Sequence, residues 1–294
     1  MKPTTILRDL LSRPGPVLAP GVADALNAKL VALHGFEALY MTGAGTTAVR
    51  LGMPDVGLLT MTEMVDNAAR IAAAAELPLI TDGDNGYGGV LNVRRTIQAY
   101  ERAGVAAIHL EDQVIPKRCG HLAGKQVVPV DEAVTKIKAA VDARLDPDFM
   151  VIARTDAIAV EGFDRAIERA RLYRAAGADM IFMDAPNADQ VKLIAGLIDA
   201  PLLYNVAGSG KTPLLAKDEI AALGFKLIIY PNWMLMASIR AASRVLETLK
   251  ATGSIASLTN EVASFREFFD LMGMPQVQAL EAKYGVSEET RARY

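Results

Sequence analysis

Residues 77–112 read LPLITDGDNGYGGVLNVRRTIQAYERAGVAAIHLED. An apolar run opens the stretch and ends in two aspartates and a set of glycines. A segment follows in which Val93, Ile97 and Tyr100 recur at helical spacing on one face. Gly104 then stops the helix, as a left-handed C-cap requires, and a second apolar run, AAIHLED, starts at Ala106. This is one strand–helix–strand unit whose polar residues gather where each strand ends.

The same unit recurs along the chain in both directions. Further apolar runs are VLAPG from Val17, ALYMTG from Ala38, FMVIARTD from Phe149, MIFMDA from Met180, PLLYNV from Pro201 and LIIYPN from Leu227. Together with the two above they make eight strands. Helical faces lie between them, at Val134, Ile137 and Val141 and at Ala166, Ala170 and Tyr173. Gly35, Gly177 and Gly224 each stand just before a strand, in the position of Gly104. Strands apolar along nearly their whole length belong to a parallel sheet covered by helices, and eight such units close a (β/α)8 TIM-type barrel. An open doubly wound sheet is the alternative. No linker rich in Pro, Gly or Ser divides the chain, so a single barrel domain is expected over residues 1–294, with a C-terminal helical extension at about 235–294. That extension holds SFREFFDLMGMPQVQALEAKYG, where Phe265, Phe268, Phe269 and Leu271 suit packing on a neighbouring subunit or on the chain's own barrel.

Composition narrows the function. With 294 residues, 51% of them hydrophobic, the chain can bury a large core. Its 31 basic and 34 acidic residues are dispersed, leaving none of the basic stripe that nucleic-acid binding requires. The one cysteine forms no internal disulfide, and MKPTTILRDLLSRPGP at the N-terminus lacks the apolar core of a secretory signal, so a reducing cytoplasm is expected. No apolar run is long enough to span a bilayer.

A barrel of this kind builds its active site at the C-terminal ends of its strands. Those ends carry Thr42-Gly43-Ala44, Asp82 and Asp84, His109 with Glu111 and Asp112, Arg154 with Asp156, Asp184, and Asn205. Any one of them alone is equally a helix cap or a turn residue. Asp82 and Asp84 say more. As residues i and i+2 of a strand they are expected to project from one side, where two carboxylates repel unless a proton or cation lies between them. Glu111 adds an oxygen from the next strand, and an all-oxygen set favours Mg²⁺ or Mn²⁺ over zinc. Cys119 lies in PKRCGHLAGK, residues 116–125, after Lys117-Arg118 and before Gly120-His121. These cations are expected to lower its thiol pKa, and the loop suits a lid over a substrate. His121 in that lid is the functional histidine, while His109 and His34 read as structural.

Taken together, KRCGH shortly after HLEDQV, with MTGAG, GMPDVG and DGDNGYGG upstream and IARTDA and YNVAGSGKTP downstream, resemble the isocitrate lyase and phosphoenolpyruvate mutase superfamily. The likeness runs from about Pro20 to Arg240. It implies a Mg²⁺-dependent (β/α)8 barrel, a homotetramer with C-terminal helices exchanged between subunits, and an oxo-acid-lyase that splits a 2-hydroxy acid. It also implies that Asp82, Asp84, Asp55 and Glu111 hold the metal directly or through water. Thr42, Gly43 and Ala44 would bind a substrate carboxylate, with Gly120, Asp184 and Asn205 beside the same ligand. Arg154 would face the reacting end, and Cys119, beside Lys117, Arg118 and His121, would be the acid of the lid.

Two departures from the family pattern narrow the substrate. Methylisocitrate lyases carry an arginine five residues after the proline of the strand-eight YP motif, and here Met236 stands after Tyr230-Pro231. An apolar residue there removes a partner for an additional carboxylate, which points to a 2-alkylmalate or dimethylmalate rather than a tricarboxylate. Asp184 stands where those enzymes have a longer glutamate. The superfamily leaves a carboxyphosphonoenolpyruvate mutase-like or oxaloacetate-acting enzyme as the alternative. A non-catalytic keto-acid-binding barrel is the reading from another class, and the set of Asp82, Asp84, Glu111, Cys119 and Arg154 argues against it.

Overall fold

The computed structural model describes residues 1–292. Its contacts divide the chain into two compact units, Met1–Met234 and Leu235–Tyr294.

The first unit is a closed barrel of eight parallel strands, each hydrogen-bonded to the next in sequence, with β1 closing onto β8. The strands are β1 (Val17–Val22), β2 (Leu39–Met41), β3 (Leu79–Asp82), β4 (Ala107–Glu111), β5 (Met150–Thr155), β6 (Met180–Met183), β7 (Leu202–Asn205) and β8 (Leu227–Tyr230). All eight lie on the apolar runs that the sequence marks. The helices before and between them are α1 (Pro3–Ser12), α2 (Ala25–Leu33), α3 (Gly43–Leu51), α4 (Met61–Ala74), α5 (Val90–Arg102), α6 (Val130–Ala143), α7 (Ile158–Glu161), α8 (Phe163–Ala175), α9 (Ala188–Leu197) and α10 (Lys217–Ala222).

Pleating sorts the strand residues into two buried layers. Ile80, Ile152, Phe182 and Ile229 fill the barrel interior, while their neighbours Leu79, Val151, Ile181 and Ile228 pack outward against the helices. Both faces are thus covered, which is why these strands read as continuous apolar runs. Val93, Ile97 and Tyr100 of α5 are buried, as are Ala166, Ala170 and Tyr173 of α8. In α6 the buried stripe runs through Ala133, Ile137 and Ala140, with Val134 and Val141 at its margin. Gly35, Gly104, Gly177 and Gly224 all have positive φ, the conformation that ends a helix at low steric cost in glycine. Leu7 and Leu10 of α1 join the interior layer at the N-terminal ends of the strands and plug that end of the barrel.

The second unit contains most of α11 (Trp233–Thr252), followed by α12 (Phe265–Met272) and α13 (Met274–Lys283). Ser264 and Glu267 form a capping box at the start of α12. Phe265 and Phe268 on that helix are exposed. No helix among the described residues is long and apolar enough to cross a membrane.

Candidate active site

At the C-terminal ends of the strands a small cavity of about 40 Å³ is lined by Thr42, Asp55, Asp82, Cys119, Arg154 and Asn205, with Ala44, Gly120, His121 and Asp184 also on its wall. Most of the residues singled out in the sequence therefore meet in one place. Thr42 is the N-cap of α3: its hydroxyl oxygen accepts from the Gly45 amide and donates to Asn232 Oδ1 at 3.0 Å. Gly43 leaves room for the neighbouring carboxylate, since a Cβ there would lie 2.4 Å from Asp82 Oδ2.

The two aspartates of DGD line different cavities. Strand β3 ends at Asp82, and Asp84 adopts a left-handed φ of 47°, so the alternation expected of a strand does not reach it. Asp82 faces the cavity and accepts the Asp84 amide at 2.9 Å. The Asp84 side chain goes instead to Lys117 Nζ, 2.6 Å away, and Lys117 also donates to Asp55 at 2.9 Å. Asp84 and Lys117 line a separate cavity of about 350 Å³ between the start of α4, the start of α5 and the loop after β4. Burial, with Asp82 and Asp55 nearby, pushes the Asp84 carboxyl up to about 6. At Asp82 the effect of burial is outweighed by His109, Lys117 and Arg154, so its pKa falls. Burial also raises the pKa of Glu111, neither of whose oxygens has a hydrogen-bond partner, although Arg154 Nη1 forms an ion pair with it at 3.3 Å.

Among the described residues no three His, Cys, Asp or Glu side chains converge closely enough to grip a metal ion by themselves. The chemistry of the donors nevertheless fits a hard divalent cation held largely through water. The buried carboxylates are oxygen ligands, and both oxygens of Glu111 lack hydrogen bonds.

Arg154 ends the polar row of β5 in a nest of acids. Its Nε and Nη2 donate to the two oxygens of Asp156 at 3.0 and 3.1 Å, and its guanidinium lies 5.1 Å above the Phe182 ring. The loop after β4 lines this site through Cys119, Gly120 and His121. The Cys119 amide donates to the Asp55 carbonyl at 3.0 Å, and the Gln113 side chain clasps the backbone of Arg118 from both sides. The Arg118 side chain itself is exposed and donates to Ala123 within the loop, away from the cavity. Lys211, on the loop after β7, reaches over to the His121 carbonyl at 2.9 Å. Inside, His121 Nε2, Asp184 Oδ1 and Asn205 Oδ1 are buried without hydrogen-bond partners. Three such orphaned atoms around one cavity are what a polar ligand would satisfy.

The expected reactive thiolate is corrected by the fold. Cys119 is partly buried against the barrel, and burial outweighs Arg154 and Lys117, so the thiol pKa rises. A raised pKa favours the thiol over the thiolate, and the thiol is the form suited to giving a proton. His109 is buried inside the barrel, stacked on Tyr40 with a 2.8 Å contact between its Nε2 and the tyrosine hydroxyl, and burial lowers its pKa to about 4. Met236 lies on α11 in the second unit and is exposed.

Residues 7–250 match the family model described as phosphoenolpyruvate phosphomutase. The chain belongs to that family. A 2,3-dimethylmalate lyase of Eubacterium barkeri is 47% identical over 279 residues, 95% of this chain and 96% of the relative. A 2-methylisocitrate lyase of Aeropyrum pernix is 41% identical over 100% of this chain and 95% of its own. Among solved structures, an oxaloacetate acetylhydrolase bound to 3,3-difluorooxalacetate superposes with a TM-score of 0.93 at 38% identity, covering 98% of both chains. A phosphonopyruvate hydrolase complexed with oxalate and Mg²⁺ superposes with a TM-score of 0.89 at 31% identity over 97% of this chain and 99% of its own. Membership places the chain among enzymes, with lyases as near relatives.

Within the site of this family member, Lys125, Asp156, Tyr40 and Asn232 were given no role by sequence reasoning. Asp156 was visible as a polar strand end. Lys125 carried no signal, because its acidic partners are 31 and 59 residues away.

Proposed function

We propose that the protein is a Mg²⁺-dependent lyase that cleaves the carbon–carbon bond of a 2-hydroxy acid of the 2-alkylmalate or dimethylmalate type, releasing an α-keto acid and a carboxylate. The observation that carries this reading is Cys119: a lone thiol, its pKa raised by burial, on a lid over a cavity with orphaned polar atoms.

Asp82, Asp84, Asp55 and Glu111 would hold the cation, which when bound draws electron density from the keto-acid oxygens. The amides that open α3, at Gly43 and Ala44, suit a substrate carboxylate, as helix N-termini do. Arg154, anchored by Asp156, presents a fixed positive charge to the reacting end, and Asn205, Asp184 and Gly120 surround the same ligand. A base, water or a carboxylate beside the ligand, takes the hydroxyl proton, the carbonyl of the keto acid forms, and the carbon–carbon bond breaks. The electron pair passes to the departing fragment as an enediolate, and the Cys119 Sγ proton is delivered to its carbon. Lys117 and His121 support the thiol's loop, and the closed lid keeps water from competing for the carbanion.

Met236 stands where methylisocitrate lyases carry an arginine, and this departure in sequence supports an alkyl substituent over a third carboxylate. The similarity to an oxaloacetate acetylhydrolase supports a second reading, in which the same scaffold acts on oxaloacetate. The exposed Phe265 and Phe268 of α12 support a homotetramer with exchanged C-terminal helices, and light scattering showing a monomer at micromolar concentration would rule it out. The lone cysteine supports a reducing, cytoplasmic setting.

The deciding experiment couples keto-acid release to lactate dehydrogenase across 2,3-dimethylmalate, 2-ethylmalate and 2-methylisocitrate, and follows oxaloacetate loss separately in the ultraviolet. Release from an alkylmalate, abolished by EDTA and by Cys119→Ser, is expected. Turnover of oxaloacetate alone would select the second reading, and strong turnover of methylisocitrate would show that Met236 does not set the substrate.

A further inference from the structure

Lys125 lies at the far end of the lid, six residues after Cys119, and its side chain is almost fully buried. An ammonium has three donors, and all three are engaged. One goes to the carbonyl oxygen of Gly120, the residue next to Cys119. The others go to Asp156 Oδ1 at 2.8 Å and Asp184 Oδ2 at 3.1 Å. Asp156 is the carboxylate that also holds Arg154 through both of its oxygens. Gly120 lies so close above this group that a Cβ would fall 2.2 Å from Arg154 Nη2 and 2.4 Å from Asp184 Oδ2.

We propose that Lys125 is a positioning residue that latches the lid, its ammonium tying the backbone beside Cys119 to the acids that orient Arg154. This rests on the reading of Cys119 as the proton donor of the lid. The physical reason is charge balance in a dry site. Glu111, Asp156 and Asp184 crowd around the single guanidinium of Arg154. When Lys125 leaves with an opening lid, Asp156 and Asp184 lose a buried cation, which is tolerable only when water enters to replace it. The latch therefore closes when water leaves, and thiol and guanidinium reach their working positions together. Lysine suits the task because three bonds to three separate groups need a compact donor on a long stem, not a planar fork.

The test uses the full-length protein and its one cysteine. In Lys125→Met, which keeps length and removes charge, the rate of Cys119 alkylation by iodoacetamide should rise about ten-fold or more without any ligand, as the lid opens more often. With the substrate that the wild type cleaves, kcat should fall about 100-fold while KM stays within about three-fold, since the loss lies in positioning rather than in binding. Lys125→Arg should recover part of the low alkylation rate and part of kcat. Circular dichroism establishes that the variants are folded. If Lys125→Met does not fold, Gly120→Ala, which forces the same backbone off Arg154 and Asp184, should raise alkylation instead. A folded Lys125→Met, or in its place Gly120→Ala, alkylated at the wild-type rate would overturn the latch. Absence of wild-type turnover on every 2-hydroxy acid would remove the lyase reading alone, because the alkylation rates decide the latch without it.

Discussion

The barrel is closed at both ends, and the two closures are made of opposite materials. At the N-terminal ends of the strands, α1 presses Leu7 and Leu10 into the interior layer formed by Val17, Ala106 and Met150. At the C-terminal ends, the lid lies on Asp55, Asp84, Asp156 and Asp184 through the ammonium groups of Lys117 and Lys125. Apolar contact is non-directional and gains by staying shut. Ion pairs in a small cavity are directional, and opening them lets in water that can take over each bond. The bottom is held by apolar contact and the top by buried ion pairs.

Changes at the two ends should separate function from stability. The largest effect belongs to the top: Cys119→Ser should lower turnover about 10³-fold, the scale of a lost proton donor, with the melting temperature nearly unchanged. A large drop in melting temperature would mean that the thiol packs more than it reacts. Leu7→Ala at the bottom should do the reverse, costing about 3 kcal/mol in urea unfolding and leaving kcat within about two-fold, because the sites are far apart and share no partner. A matching loss of turnover would show that the two closures are coupled.

Between the two ends, His109 sets a pH dependence. Its pKa is about 4 in the folded barrel and near 6.5 when unfolded. Between those values the unfolded chain binds the proton and the native one does not. Stability should therefore fall as pH drops from about 6.5 to about 4, by up to about 3 kcal/mol. Asp84, pushed up to about 6, works in the opposite sense, gaining stability as pH falls through that value. Comparing wild type with His109→Gln at pH 5 and pH 7 isolates the histidine: the wild type should lose more stability than the variant on acidification. An equal change in both would mean that His109 is already protonated in the fold. The smallest effect is expected at the exposed pair Arg13–Glu37, where Arg13→Ala should move the melting temperature by no more than about 2 °C.

The eight strands were legible because a strand buried on both faces has to be apolar residue after residue, and such runs are visible without knowledge of partners. Most of the candidate site was legible for a related reason, since the chain must turn polar where each strand meets solvent. The direction of Asp84 was not. It depends on a backbone φ of 47°, which departs from the strand geometry that a spacing argument assumes. The state of Cys119 was misread because its sequence neighbours are cationic, while the larger influence, burial against the barrel, exists only in the folded chain. Lys125 was passed over because a lysine in a polar loop is ordinarily a solvated one.

Local sequence by itself determined the succession of strands and helices, the glycines that end the helices, and the end of the barrel where polar residues gather. These follow from interactions within a few residues or from the alternation of apolar and polar groups. Tertiary structure decided which charges meet: Lys117 with Asp55 and Asp84, Lys125 with Asp156 and Asp184, and a thiol made a weaker acid by burial. The reason is that electrostatic energies depend on distance and on exclusion of water, and neither exists until strands distant in sequence stand side by side.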